Sequence, residues 1–141
     1  MTLSYRLAES GDAPLFDRVA PGVFDREIDL GLLAEFLRDP RHHIALASDD
    51  GVIVGFVSAV DYVHPDKPRQ LWINEVGVAP THRGGGIGKR LIQLIVERGR
   101  MLGCTEAWVL TDAGNEPANA LYRSAGGEKG AAQILYTVPL S

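Results

Sequence analysis

The sequence holds a single cysteine, Cys104, so no internal disulfide can form. That absence fits a reducing, cytoplasmic setting. No apolar run is long enough to span a bilayer, and the opening MTLSYRLAES lacks the apolar core of a secretion signal, so no membrane partner is expected. Basic residues are not in excess. Lys and Arg number 14 against 18 Asp and Glu, a net charge of -4. This speaks against a general nucleic-acid binder and is compatible with a cationic ligand. Metal chemistry is not indicated either, because His42 and His43 have no acidic or cysteine partner at ligand spacing. Cys104 has no nearby histidine to activate it and follows a helix-stopping glycine, which reads as a small buried residue. What remains is an ordinary globular composition, 45% hydrophobic and 23% charged. Its length suits one domain, residues 1–141, with a core that needs no staple.

Strands and helices alternate along the chain. LSYRLA reads as a first strand. APLFDRV and IDLGLLAEFLRD carry apolar residues at helical spacing, and Pro40 ends the second of these. HIALAS and VIVGFVSAV flank a hairpin signal at Asp50-Gly51. A loop, HPDKPR, precedes the strand QLWINEVGV. A helix runs from about Gly86 to Leu102, with Gly103 as its stop. EAWVLT is a further strand, PANALYRSA a short helix with Pro117 in its first turn, and ILYTV a last strand. The expected class is α/β, with an antiparallel hairpin leading into a strand–helix–strand unit.

The stretch RGGGIGKRLI lies between a strand and a helix. Its glycines permit positive φ and remove side chains, so backbone N–H groups at a helix N-terminus can wrap an anion. Arg83 and Lys89 add charge, and the physical reading is a pyrophosphate cradle. The dinucleotide fingerprint does not apply, because a hairpin precedes the turn and Glu106 falls outside a plausible strand end. A P-loop would need Ser or Thr after the lysine, where Arg90 stands. His82, next to the turn, reads as a solvent-facing residue.

With its neighbours included, VGVAPTHRGGGIGKRLIQLIVERGRMLG resembles the acyl-CoA motif of the GNAT acetyltransferase superfamily. The R/Q-x-x-G-x-G/A core is met by Arg83, Gly86 and Gly88, after an extended strand end at Val76, Val78 and Pro80. NEPANALYRSAGG resembles a second motif of the family through Asn115, Ala118, Leu121, Tyr122 and Gly126, with Gly127 standing where an aromatic usually packs. The resemblance covers nearly the whole chain. It implies a mixed, mostly antiparallel sheet flanked by helices, with two strands splayed apart for the pantetheine arm of acetyl-CoA. Val76 and Val78 would pair with the pantetheine amides. Arg83, Gly84, Gly85, Gly86, Gly88 and Lys89 would hold the pyrophosphate, and Asn115 would hydrogen-bond the cofactor.

The reaction so implied is direct transfer of acetyl from a thioester to an amine, which needs a neutral amine and a protonated leaving thiolate. Glu75, just before the pantetheine-binding backbone, is the expected base, its side chain opposite those of Asn74 and Val76 by strand alternation. Asp112, at the end of WVLTD, is expected to clamp the amine. Either acid could instead only bind a cationic substrate. Tyr122 matches the family's general acid. Asp61, Glu75, Asp112 and Glu116 are expected to rim the acceptor side, where carboxylates orient a polycation. The segment Asp112, Gly114, Pro117, Ala118, Ala120, Leu121 and Tyr122 resembles the small aminoglycoside 3-N-acetyltransferases, in which the strand acid is commonly Asp rather than Glu. That resemblance implies antibiotic resistance through the 3-amino group. Another small amine or a protein N-terminus is the alternative acceptor, and a non-catalytic acyl-CoA-binding regulator is a different class. A homodimer is common in the resembling family.

Overall fold

A five-stranded sheet, strand order β1-β2-β3-β4-β5, forms the centre of the computed structural model, which describes residues 2–141. The strands are Leu3–Leu7, His42–Asp49, Val52–His64, Lys67–Val78 and Glu106–Val109. The first four pair antiparallel, and β5 joins β4 in parallel. A parallel neighbour requires a crossover, supplied by helix α2, Ile87–Met101. Helix α1, Leu30–Arg38, packs near β2, and helix α3, Glu116–Ser124, packs near the start of α2. This is the mixed, mostly antiparallel sheet flanked by helices that the resemblance implies.

Local chemistry explains most boundaries. Asp50 and Gly51 both take positive φ, 50° and 82°, as the tight hairpin between β2 and β3 requires. Asp29 caps α1 by accepting from the Leu32 N–H at 2.9 Å. The α2 stripe of Ile87, Leu91 and Ile95 is buried against β3, where a Cβ on Gly55 would lie 3.1 Å from Ile87. Gly103, at φ 83°, ends that helix.

Three expectations change. APLFDRV makes only a short 3₁₀ turn over Ala13–Asp17, with Phe16 buried. HPDKPR is not a loop: β3 runs through His64, which pairs with Lys67 across a turn at Pro65-Asp66. The last strand is absent, and ILYTV lies in an extended tail with Ile134 78% and Tyr136 81% exposed. Alternation gives a strand two faces but no neighbour, and a strand without a neighbour has nothing to bond. Gly127, by contrast, is explained. Its N–H donates to the Tyr122 carbonyl at 2.8 Å, and a Cβ would lie 2.8 Å from that same oxygen, so no aromatic fits there.

Candidate active site

The site begins where two strands part. β5 pairs with β4 only from Gln70–Glu106 to Ile73–Val109. β4 continues to Val78 on its pairing with β3 alone. Asn74 is an extra residue in that ladder, falling between the Ile73–Ala59 and Glu75–Ser58 pairs. Such a bulge bends and twists its strand, and here it sits where β4 leaves β5. The β4 edge turned away from β3, from Glu75 to Val78, is therefore free to take an extended ligand as an added strand.

The bulge also decides where Glu75 faces. Residues paired across strands share a face of the sheet. Leu71 packs near Gly99 of α2, and Ile73 lies on that same face. Unbroken alternation would put Glu75 there as well. With Asn74 inserted, Glu75 pairs with Ser58 and joins Phe56 and Gly77 on the opposite face, while Val76 and Val78 turn toward α2. Glu75 thus lies opposite Val76 as expected, but alternation does not run through Asn74.

The connection from β4 to α2 is held at several points. His82 Nε2 and Asp49 Oδ2 are 2.8 Å apart, and Thr81 Oγ1 lies 2.8 Å from His82 Nδ1. The hydrogen bond from His82 holds the Asp49 carboxyl below its ordinary pKa. His82 is thus tied to the end of β2 rather than facing solvent. Arg83 Nε donates to the Val78 carbonyl at 3.2 Å, which lays the guanidinium over the end of the open edge. Gly84 and Gly86 take φ of 80° and 85°, and a Cβ at either would meet nothing within 4 Å. Gly86 is the N-cap of α2 and offers no side-chain acceptor. The first helical turn bonds Arg90 N–H to Gly86 O at 3.1 Å, so the N–H groups of Ile87, Gly88 and Lys89 point outward without helical acceptors. This is an open, glycine-lined backbone pocket at the positive end of a helix, with two exposed cationic side chains beside it.

α3 closes the other side. Leu121 packs on Gly88, where a Cβ would lie 3.3 Å from both leucine δ carbons. Tyr122 follows, half-buried against the core, and burial pushes its phenol pKa up. On the Glu75 face a cavity of about 190 Å³ is lined by Val23, Asp25, Phe56, Glu75 and Val76. The segment carrying Asp25 is pinned there: Phe24 stacks on Phe56 at 4.2 Å, and the Val23 carbonyl lies where a Cβ on Gly77 would approach to 2.2 Å.

Residues 12–126 match the acetyltransferase (GNAT) family. The chain belongs to that family. It is similar to the L-2,4-diaminobutyric acid acetyltransferase of Nocardia farcinica, 30% identical over 92% of this chain and 67% of the relative. It is also similar to the N-alpha-acetyltransferase RimI of Mycobacterium tuberculosis, 32% identical over 82% of this chain and 66% of the relative. The chain spans about two thirds of the length of each. Among solved structures, the fold is shared with AAC(6')-Iy in complex with the bisubstrate analogue CoA-S-monomethyl-acetylneamine, at a TM-score of 0.79 and 23% identity, covering 99% of both chains.

Acetyl-CoA is the donor that GNAT acetyltransferases use, and the residues of this acetyltransferase fit it. The open β4 edge suits the pantetheine amides, and the Gly84–Gly86 turn leaves room and donors for a pyrophosphate. Glu75, Val76 and Val78 lie along the open part of β4, Arg83, Gly84, Gly85, Gly86 and Lys89 follow in the turn and first helical residues after it, and Tyr122 follows Leu121, which packs on Gly88. Leu121 fills the space beside the Gly88 Cα, while the Gly88 N–H stays among the free donors of the first helical turn. Asn115 caps α3, its Oδ1 accepting from the Ala118 N–H at 3.1 Å. Asp112 and Glu116 are exposed at the start of that helix and do not line the cavity with Glu75.

Asp61 is a correction. It is 3% exposed, on the face toward α2, where His43 Nε2 lies 2.6 Å from Oδ1 and Arg69 Nη1 donates to Oδ2 at 2.6 Å. A carboxylate so paired rims no cleft. Asp25 was missed, because it lies in an aperiodic stretch fifty residues before Glu75 in sequence. The available signal was Gly77, since a glycine inside a strand often marks another backbone at close range. No helix among the described residues is long and apolar enough to cross a membrane.

Proposed function

We propose that this acetyltransferase moves the acetyl group of acetyl-CoA directly to a primary amine of a small acceptor bearing at least one further ammonium group. The observation that carries this reading is that Glu75 and Asp25 line one cavity beside the open edge of β4. Two carboxylates there can serve two ammonium groups, one to be deprotonated and one to be held.

Bound acetyl-CoA supplies an electrophilic thioester carbonyl and a thiolate leaving group. Arg83, Lys89 and the N–H groups of the Gly84–Lys89 turn bind the pyrophosphate, and the β4 backbone from Val76 to Val78 orients the arm. Glu75 takes one proton from the bound ammonium, and the neutral amine so formed attacks the thioester carbonyl. As the N–C bond forms and the C–S bond breaks, the second proton of the amine passes to the Tyr122 oxygen, which has given its own proton to the sulfur. Tyr122 gives its phenolic proton to the departing sulfur, and its raised pKa keeps that proton in place near neutrality. Asp25 pairs with the second ammonium. Asp112 and Glu116 contribute a more distant negative potential.

An aminoglycoside is the first acceptor of this chemistry, and the 3-amino position is supported by the sequence resemblance alone. The relative named for L-2,4-diaminobutyric acid favours a second reading, a small diamino acid. Purified protein with acetyl-CoA is to be assayed against aminoglycosides, diamino acids, monoamines and peptides, with mass spectrometry of the products. One added acetyl group on an aminoglycoside or diamino acid, and far slower turnover of monoamines, is expected. Preference for a monoamine or a peptide N-terminus refutes the two-ammonium acceptor, and no transfer to any amine refutes the enzyme reading.

A further inference from the structure

Of the helices, α2 is the one that packs broadly on β4 and β5, and it lies on the face opposite Glu75. The burial of the strands alternates accordingly. Along β3, Val57, Ala59 and Asp61 are buried toward α2, whereas Ser58, Val60 and Tyr62 are only half-buried. Along β4, Leu71 and Ile73 are buried and Trp72 is half-buried. Trp108 of β5 is half-buried too, and its pairing with Trp72 puts both indoles on the Glu75 face. They are the two tryptophans of the chain.

The bulge at Asn74 makes Trp72 the neighbour of Glu75 on this face. Trp72 pairs with Val60 and Glu75 with Ser58. Ser58 and Val60 are alternate residues of one strand, so the two positions lie about 7 Å apart. The indoles stack with centroids 5.5 Å apart and 12° between their planes, an offset arrangement. Trp108 Nε1 donates to Tyr62 Oη at 2.7 Å, so that indole leans across β4 toward β3. Tyr62 Oη donates in turn to Gln70 Oε1 at 2.8 Å, and Gln70 Nε2 donates to Glu106 Oε1 at 2.8 Å. A connected network of this kind holds the aromatic pair in one arrangement before any ligand arrives. A large apolar surface that is held in place yet left partly open marks a binding face.

We infer that Trp72, backed by Trp108, is a specificity-determining wall of the acceptor site, and that it takes the flat C–H face of a saturated ring bearing ammonium groups. The inference rests on the acceptor reading above and narrows it from a diamine of any shape to a cyclic amino sugar. Glu75 and Asp25 line the cavity on one side of this wall and attract ammonium groups whatever carries them. The indole selects the carrier. Its negative face favours C–H groups polarised by a neighbouring ammonium, and a rigid ring lays several of them on it at once. An open-chain amine has no such face and loses rotational freedom to make the same contact.

The test is acceptor binding to the full chain with coenzyme A present, which fills the donor site without reacting. Tryptophan emission reports on the wall directly, because both tryptophans belong to it. Kanamycin A, whose amino groups sit on saturated rings, is expected to change the emission saturably. Spermine, an open chain with the same number of amino groups, is the charge-matched control. Trp72→Leu keeps apolar bulk and removes the aromatic face. By calorimetry it is expected to weaken kanamycin A at least tenfold and spermine less than twofold, with an unchanged far-ultraviolet spectrum. Trp72→Phe, which keeps a smaller aromatic face, is expected to fall between the wild type and Trp72→Leu. Kanamycin A that fails to bind, binds without changing the emission, or binds Trp72→Leu as tightly as the wild type overturns the proposal. Equal weakening of both amines also overturns it, by giving Trp72 only a role in placing Glu75. Turnover separates this inference from the reading beneath it. Acetyl transfer to kanamycin A that ignores Trp72→Leu removes the wall and keeps the acceptor reading. Ring binding that depends on Trp72, without transfer to any amine, keeps the wall and refutes that reading.

Discussion

Leu121 of α3 occupies the space that a side chain on Gly88 of α2 would need, its two δ carbons 3.3 Å from the ideal Cβ position. The glycine run therefore divides by role. Gly84 and Gly86 shape the open turn, and Gly88 sets how closely α3, and with it Tyr122, approaches that turn. In Gly88→Ala, the leucine must shift by a few tenths of an ångström, while helix propensity improves by roughly 0.5–1 kcal/mol. Thermal stability should change little. Turnover should fall several-fold because the next residue, Tyr122, moves with the leucine. Steady-state kinetics beside calorimetric unfolding checks this, and unaltered turnover would detach Gly88 from the placement of Tyr122.

Gly86→Asp acts on binding instead. The new side chain must adopt a left-handed conformation, at about 1–2 kcal/mol, and it brings a negative charge to the anion pocket. Titration calorimetry should find no measurable binding of acetyl-CoA to a protein whose circular dichroism is that of the wild type. Gly86→Ala carries the strain without the charge and should retain weakened binding. Equal loss in both would assign the effect to backbone shape alone.

Tyr122→Phe removes a hydroxyl that the mechanism uses only as the C–S bond breaks. Turnover should drop by about 10²-fold, with the Michaelis constant for acetyl-CoA near its original value. Wild-type turnover would leave Tyr122 as a packing residue.

The two acids of the cavity should separate in kinetics. Glu75→Gln cannot accept a proton, so turnover should fall and the carboxylate-dependent limb of the pH–rate profile should vanish. Asp25→Asn should raise the Michaelis constant for the amine with less effect on turnover, and the difference should shrink in high salt, because exposed charge pairing is screened. A raised constant that ignores salt would contradict an electrostatic role.

Asp61 predicts an effect on folding rather than catalysis. Burial pushes its carboxyl pKa up, but hydrogen bonds from His43 and Arg69 outweigh that and hold it below the ordinary value of 3.8. A carboxyl lowered in the folded state contributes stability that is present above the unfolded value and is lost as pH falls through the lower folded one. Asp61→Asn should therefore lower the unfolding free energy at neutral pH, by about 3 kcal/mol on the scale of broken buried pairs. The gap from the wild type should close on acidification below pH 3.8. Denaturant melts across that range decide it, and a constant gap would show that Asp61 is not the titrating group.

The sequence by itself determined the features that arise from neighbours in the chain. Asp50-Gly51 specifies a tight hairpin because both residues accept positive φ. Ile87, Leu91 and Ile95 specify α2 by their period, and Arg83 to Gly88 identify the anion turn at its start. Glu75, Tyr122 and the glycine turn stand out as candidates in the sequence because each lies within a short motif. The tertiary structure alone decided what depends on distant partners. The Asn74 bulge appears only in the ladder with β3, and it turns Glu75 to the face that holds Asp25. Asp61 looked like a free acid until folding buried it between His43 and Arg69. The apolar alternation of Ile134 to Leu140 is a strand pattern in any context, but a strand exists only where another offers its edge, and no pattern within the segment says which one does.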